Sequence, residues 1–400
     1  MKHIGVLGGG QLGMLLTESI YRHGGTVSIY DPDTLAPASK MVSAGHHFTK
    51  KWTDIQALGE FFSGVDATTY EFENVESTEL YQFEKIKPIH PSVSVLYTTQ
   101  DRAREKSFLR ENKLPHATFR SITDLSTLSK TVSEFGYPCI LKSCRGGYDG
   151  KGQFFLADEK DLNNALAALK NIKGDYFGVL EEVLNIELEV SCIVARSPQG
   201  QEVIFPVFEN IHKNQILDFT IFPARIPAAV ETKVREIALD AARKLGVFGL
   251  LTTEFFITKT KARHAQGAEC DDWQIYINEF APRPHNSGHV TRIACTLSQF
   301  DALARVMLDI PLSEPKIIAP GTFCMGNLLG DVWLAQGRND LNLSTMANHP
   351  NVIDVVLYGK HEARAGRKMG HFVTYAENAD SALHSAKEFR KSLIEFSGKL

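Results

Sequence analysis

Nowhere in the 400-residue chain does an apolar run approach the roughly eighteen residues that a membrane-crossing helix needs. The N-terminus enters a strand pattern directly, with no charged-then-apolar leader, so neither export nor membrane insertion is expected. Neither sign of charge dominates. Lys and Arg number 43 against 47 Asp and Glu, giving a net charge of −4 and a pI near 6.4, with no reason to expect nucleic acid or a membrane surface as partner. The six cysteines (Cys139, Cys144, Cys192, Cys270, Cys295, Cys324) include no Cys-x-x-Cys pair, and no Cys or His cluster has structural zinc spacing. Several lie in apolar runs, which predicts reduced thiols in a cytoplasmic protein. Repeats and low-complexity tracts are absent. What remains is an ordinary globular composition, 43% hydrophobic and 22% charged, long enough for two to four subdomains.

The stretch around which the chain is organised is Lys142–Gln153, Lys-Ser-Cys-Arg-Gly-Gly-Tyr-Asp-Gly-Lys-Gly-Gln. Strand-like runs flank it, Pro138–Lys142 before and Gln153–Leu156 after, so it reads as a hairpin tip. A phosphate there would be met by backbone N–H groups and by Lys142 and Lys151, with glycine allowing close approach and a hinge. An exposed basic hairpin is the plainer alternative.

The N-terminal segment carries a competing signal. Gly8-Gly-Gly-Gln-Leu-Gly13 lies between a strand and a helix expected over Met14–His23, and Asp31 ends the next strand. This fits the dinucleotide fingerprint. Against it, Asp31 runs into a loop, and the strand Ala67–Tyr70 ends in Glu71-Phe-Glu73-Asn74, placing acids where α/β sheets bind ligands. One of these two glutamates is read as a solvated strand end. A helix is expected over Gln100–Asn112 and a boundary near Pro115. A compact α+β segment then runs to about Leu184, with helices Asp124–Phe135 and Glu159–Ile172. Beyond it come strands at Leu188–Ala195, Val203–Phe208, Leu250–Ile257 and Trp273–Phe280. Helices are expected at Ala229–Leu245, Leu297–Leu308 and Asp380–Ile394. The polar stretch Thr258–Asp272 reads as a solvent-exposed loop.

Two glutamates stand in apolar strands. Thr253-Glu254-Phe-Phe and Tyr276-Ile-Asn278-Glu279-Phe would converge if the strands are antiparallel neighbours, and buried acids are seldom left without a partner. Magnesium is favoured over a structural salt bridge. Directly after them, Ala281-Pro-Arg283-Pro-His285-Asn286-Ser-Gly-His289 is too polar and constrained for a simple connector. Glu181-Glu182-Val183-Leu184 followed by Glu189 could bind an adenine edge and a ribose. Near the C-terminus, Lys360, Arg364, Arg367 and Lys368 make either a second phosphate site or a solvated basic surface.

Six motifs, in order over nearly the whole chain, resemble one family: Gly-Gly-Gly-Gln-Leu-Gly, Tyr-Glu-Phe-Glu-Asn, Gln-Asp-Arg, Gly-Gly-Tyr-Asp-Gly-Lys-Gly-Gln, Asn-Glu-Phe-Ala-Pro-Arg-Pro-His-Asn-Ser-Gly-His and Gly-Arg-Lys-Met-Gly-His. The family is the ATP-grasp 5-(carboxyamino)imidazole ribonucleotide synthetases of purine biosynthesis. The resemblance implies an α/β ATP-grasp fold with an N-terminal Rossmann-like domain (1–114), a small subdomain with a glycine-rich lid (115–186), a large subdomain with the metal site (187–315) and a small C-terminal unit (316–400). It implies ATP, bicarbonate and 5-aminoimidazole ribonucleotide as substrates, magnesium, and a homodimer. Arg102, Lys142, Gly147, Tyr148, Asp149, Gly150, Lys151, Gly152, Gln153, Glu181, Glu182, Val183, Leu184, Glu189, His212, Asn278 and Glu279 would hold ATP, and Glu254 and Glu279 the metal. Gln11, Leu12, Glu73, Asn286, Lys360, Arg367 and Lys368 would meet the ribonucleotide. Tyr148, Asp149, Arg283 and His285 would serve the reacting centre. Rival readings are a formate-dependent ribonucleotide transformylase, a dehydrogenase using Gly8–Gly13, and a nucleotide-sensing module.

Overall fold

The computed structural model describes residues 1–75, 77–145, 152–169, 178–263, 269–337 and 340–395. Its first strands, β1 (His3–Leu7), β2 (Thr26–Tyr30), β3 (His47–Phe48) and β4 (Ala67–Tyr70), form a parallel sheet in the order β3-β2-β1-β4. Both faces are covered, which is why Ile4, Val6, Leu7, Val27 and Ile29 are all buried. The first helix, Gln11–Arg22, starts right after the glycines rather than at Met14. Its Leu12, Leu16 and Ile20 share a core with Phe300, Leu303 and Met307 of the helix Gln299–Met307. That shared core fixes the N-terminal sheet against the middle of the molecule.

A small antiparallel sheet follows: β5 (Phe119–Ile122), β6 (Cys139–Ser143), β7 (Gln153–Leu156) and β8 (Gly178–Glu182), in the order β5-β8-β6-β7. Strands β6 and β7 are the two arms expected around the glycine-rich stretch, with Lys142 opposite Gln153. The tip, including Gly147, Tyr148, Asp149, Gly150 and Lys151, lies outside the described residues.

The remaining strands are β9 (Ile186–Arg196), β10 (Glu202–Ile204), β11 (Phe208–Lys213), β12 (Ile216–Phe222), β13 (Gly249–Arg263), β14 (Glu269–Ala281), β15 (Thr322–Leu329), β16 (Val352–Leu357) and β17 (Lys368–Ala376). They make one nine-stranded sheet, β14-β13-β9-β11-β12-β15-β17-β16, with β10 paired to β9. The C-terminal strands therefore continue the central sheet through β12 and β15, where Phe222 is opposite Phe323. Helix Ala228–Lys244 covers one face with Val234, Ala238, Ala241 and Ala242, and helix Ala379–Glu395 packs Ala386, Phe389 and Leu393 near the C-terminal strands.

One expectation is corrected. Most of Thr258–Asp272 is not a loop, because β13 and β14 stay paired past Lys259 and Trp273 as far as Arg263 and Glu269. Lys259 lies 3.0 Å from Asp271 and sits over the Trp273 ring. Cross-strand pairs of this kind stabilise a solvated ribbon, so its polarity does not mark a loop. No helix among the described residues is long and apolar enough to cross a membrane. Cys139, Cys144, Cys192, Cys295 and Cys324 are free thiols.

Candidate active site

Strand pairing alone brings the two acids together. Glu254 of β13 is directly opposite Glu279 of β14, and β13 is itself paired with β9 through Ser191. Opposed residues of antiparallel strands share a face. The register shifts by one immediately afterwards, Phe255 pairing with Ile277, which leaves Asn278 as the extra residue of a bulge. Adjacent strand residues normally point to opposite faces, and a bulge can re-aim one of them. Asn278 and Glu279 accordingly both line a cavity of about 660 Å³ that also contains Glu254.

Burial by itself would raise the Glu254 carboxyl. His285 Nε2, 2.9 Å from Oε1, together with His212 and Arg283, more than offsets this and holds it below the usual carboxylate range. Glu279 goes the other way, raised by its concave, poorly hydrated surroundings and by the facing Glu254, with Arg102 and Lys142 opposing.

Arg102 follows the helix N-cap Asp101, whose side chain accepts from the Ala103 and Arg104 amides. Its Nη2 donates to Glu279 Oε2 and its Nη1 to the Ser143 carbonyl, each at 3.3 Å, tying the small sheet to the acid pair. Lys142 and Lys106 converge on one oxygen, Glu181 Oε2, at 3.3 and 3.2 Å. The other oxygen, Oε1, is buried without a hydrogen-bond partner. Burial would raise Glu181, yet the two lysines hold it at about 2, and burial lowers Lys142. His212 Nδ1 lies 3.0 Å from Glu189 Oε2. Burial lowers His212, but Glu189 raises it further, for a net upward shift.

At the same cavity, Arg283 Nη2 donates to Glu73 Oε1 at 2.9 Å and its Nε pairs with Glu73 Oε2. Burial acts to raise Glu73, but Arg283 holds it low. Asn286 and Lys368 also line this cavity, and the buried Asn286 Oδ1 has no partner there. Glu105, which the sequence reading missed, sits beneath. It accepts from the Phe280 amide at 2.7 Å and is pushed up to about 8 by burial and by Glu279. Its helix is polar on most sides, so nothing in that pattern marks Glu105 as buried.

The expected residues are not all equally placed. Glu73, Arg102, Lys142, Gln153, Glu189, His212, Glu254, Asn278, Glu279, Arg283, His285, Asn286 and Lys368 line one cavity. Gly152, in the left-handed region with φ 72°, accepts from the Ser143 amide at the base of the hairpin. Glu182 accepts from the Thr118 amide, and Val183 and Leu184 form the link from β8 to β9. Lys360 donates to the Lys368 carbonyl at 2.7 Å and is lowered to about 8 by burial and by Arg367, with Glu71 opposing. Arg367 Nη1 donates to the Glu362 carbonyl. Gln11 opens its helix beside the acid that caps it. Leu12 has its side chain in the core, and its amide donates to Glu71.

Glu71 itself is not a solvated strand end. It is buried, and its oxygens accept from the Gly10, Leu12 and Gly13 amides at 2.9, 3.1 and 3.0 Å, while Asp31 takes the Gly9 amide. These are the N–H groups a pyrophosphate would use. A Cβ on Gly10 would come within 2.5 Å of Glu71 Oε1, so the glycine makes room for this carboxylate. The dinucleotide reading fails on that ground.

Three family models match in order: the ribonucleotide synthetase preATP-grasp domain over residues 1–100, the ATP-grasp domain over 107–300 and the phosphoribosylaminoimidazole carboxylase C-terminal domain over 324–385. The N5-carboxyaminoimidazole ribonucleotide synthase of Bacillus subtilis is 33% identical over 380 residues, 94% of this chain and 92% of that protein. The bifunctional purine synthesis protein purC/E of Dictyostelium discoideum is 35% identical over 92% of this chain, which spans only 36% of that longer protein. A crystal structure of the Aspergillus clavatus N5-carboxyaminoimidazole synthase, in complex with ADP and 5-aminoimidazole ribonucleotide, superposes with a TM-score of 0.83 at 28% identity, covering 98% of each chain. On the full-length match and the shared domain order, the chain belongs to the N5-carboxyaminoimidazole ribonucleotide synthase family of ATP-grasp enzymes.

Proposed function

We propose a division of labour among these residues for the reaction of the family. That reaction is ATP-dependent carboxylation of 5-aminoimidazole ribonucleotide by bicarbonate, giving N5-carboxyaminoimidazole ribonucleotide, ADP and phosphate. Bicarbonate is a poor electrophile. Transfer of the γ-phosphoryl group to one of its oxygens gives carboxyphosphate, a mixed anhydride with phosphate as leaving group. The substrate amine then attacks the carboxyl carbon, phosphate departs, and the nitrogen loses a proton.

Arg102 and Lys142 hold the transferring phosphates, with developing charge stabilised by groups already in place. Glu181–Leu184, Glu189 and His212 take the base and ribose of ATP. The unpartnered Glu181 Oε1 supports this, as a buried acceptor otherwise carries a desolvation cost. Glu254, Glu279 and Asn278 offer hard oxygen donors, and among the described residues no cluster of three or more His, Cys, Asp or Glu closes around a metal. That donor set suits magnesium, which takes one or two carboxylates and completes its shell with phosphates and water. When bound, the ion neutralises charge on the phosphoryl oxygens.

Glu73, Arg283, His285, Asn286, Lys360, Arg367 and Lys368 serve the ribonucleotide and the carboxyl-transfer step. Tyr148 and Asp149 keep the roles the sequence gives them at the lid, where water must be excluded because carboxyphosphate hydrolyses readily. A cytoplasmic location, supported by five free thiols, and a homodimer complete the reading. The observation that carries it is the opposed Glu254–Glu279 pair in one cavity with Arg102, Lys142, Asn286 and Lys368. Its test is ADP release with each substrate omitted in turn. ADP should require both bicarbonate and 5-aminoimidazole ribonucleotide; release supported by formate in place of bicarbonate would contradict it.

A further inference from the structure

Behind His285 runs a line of buried hydrogen bonds whose donors all point the same way. His285 Nδ1 accepts from the Ser287 backbone amide at 3.4 Å and lies 2.8 Å from Ser287 Oγ. A backbone N–H can only donate, so Nδ1 presents its lone pair and the ring proton is on Nε2. Nε2 is 2.9 Å from Glu254 Oε1. The order of the remaining protons follows. Ser287 Oγ–H is donated to Nδ1, so its oxygen accepts from Ser191 Oγ at 2.8 Å. Ser191 Oγ accepts from Asn210 Nδ2 at 3.0 Å, and Asn210 Oδ1 accepts from Thr220 at 3.2 Å. Ser191, Ser287 and Thr220 are 0% exposed, Asn210 6% and His285 9%. Water cannot readily substitute for any partner.

We infer that Ser287, backed by Ser191 and Asn210, is a positioning residue that fixes His285 as the Nε2–H tautomer and aims that proton at Glu254. The relay crosses β12, β11 and β9 before reaching the Asn286–Val290 turn, so it reads out the register of the central sheet at the acid pair. It also defines what His285 does. At Nε2 the ring is a hydrogen-bond donor to a carboxylate, not a base toward substrate. Glu254 Oε1 is thereby occupied and Oε2 left for another ligand. This last consequence rests on the magnesium reading above; the tautomer does not.

The test uses the full-length, metal-free chain with 15N-labelled histidine rings, the His285 signals being assigned from their loss in His285→Gln. Wild type should show an unprotonated, pyridine-type Nδ1 and a protonated, pyrrole-type Nε2. Ser287→Ala removes the donor to Nδ1 and should move the Nδ1 resonance downfield, toward a ring nitrogen with fewer hydrogen bonds. Ser191→Ala should cause a smaller shift in the same direction, and serves alone if Ser287→Ala does not fold. Apparent magnesium affinity in Ser287→Ala should weaken about fivefold, the equivalent of one neutral hydrogen bond. A proton on Nδ1 in wild type, or ring resonances unmoved in both variants, would overturn the inference. If instead the ring signals behave as expected but do not respond to magnesium, the relay stands and the metal assignment fails.

Discussion

The N-terminus of the Gln11–Arg22 helix ends on Glu71, whose two oxygens take three backbone amides. Burial raises the Glu71 carboxyl, and the Gly13 and Gly10 amides at the positive end of the helix dipole oppose that shift. In Glu71→Gln one acceptor becomes an NH2 group facing backbone donors. Unfolding free energy should fall by about 1–3 kcal/mol, the cost of leaving a buried donor unsatisfied, read as a lower urea midpoint at unchanged m-value. An unchanged midpoint would restore the solvated reading. Glu279 makes the matching test at the reacting centre. Glu279→Gln keeps the shape but removes an anion, and turnover should drop by at least about a hundredfold, the scale for a key electrostatic group. Near-normal turnover at saturating magnesium would refute its metal role.

Among the elements, the helix Arg102–Glu111 does the most to join the parts. Its Arg102 reaches Ser143 and Glu279, its Glu105 the Phe280 amide, and its Lys106 both Glu181 and the Asn278 carbonyl. Lys106→Met keeps the volume but leaves Glu181 with Lys142 alone. Stability should fall by about 3 kcal/mol, the lower end for breaking a buried pair, with weakened ATP binding measured by calorimetry. Intact stability would mean Lys142 suffices. None of this helix's linking role is legible in Arg-Ala-Arg-Glu-Lys, because burial of Glu105 and Lys106 is decided by strands more than 70 residues away. The acid pair was legible, since a lone Glu in an apolar strand stands out and adjacent strands give it a partner. The β14 bulge at Asn278 was not, for one extra residue leaves no mark in a period-two pattern. The β13–β14 ribbon was misread because its charges pair across strands instead of marking a turn.

Across the whole molecule, the core holds buried polar groups as well as apolar ones. His289 and His371 are 0% exposed and stack at 4.6 Å, with Tyr358 Oη 2.8 Å from His371 Nδ1. Burial lowers both, His371 to about 3 and His289 well below its usual 6.5. A histidine lowered in the folded state contributes stability that is complete above its unfolded pKa. That stability is lost as pH falls from about 6.5 toward 3, where the unfolded chain binds the extra proton. Each should add up to about 1.4 kcal/mol per pH unit to the acid slope. His371→Phe should flatten it, followed by urea midpoints between pH 7 and 4; a slope unchanged from wild type would show the acid limb arises elsewhere. The central claim is that a cavity built from all three sheets passes a phosphoryl group to bicarbonate before the amine attacks. Turnover with 18O-labelled bicarbonate tests this most directly. One labelled oxygen should appear in the inorganic phosphate released with each carboxylated product, and phosphate free of label would contradict the account.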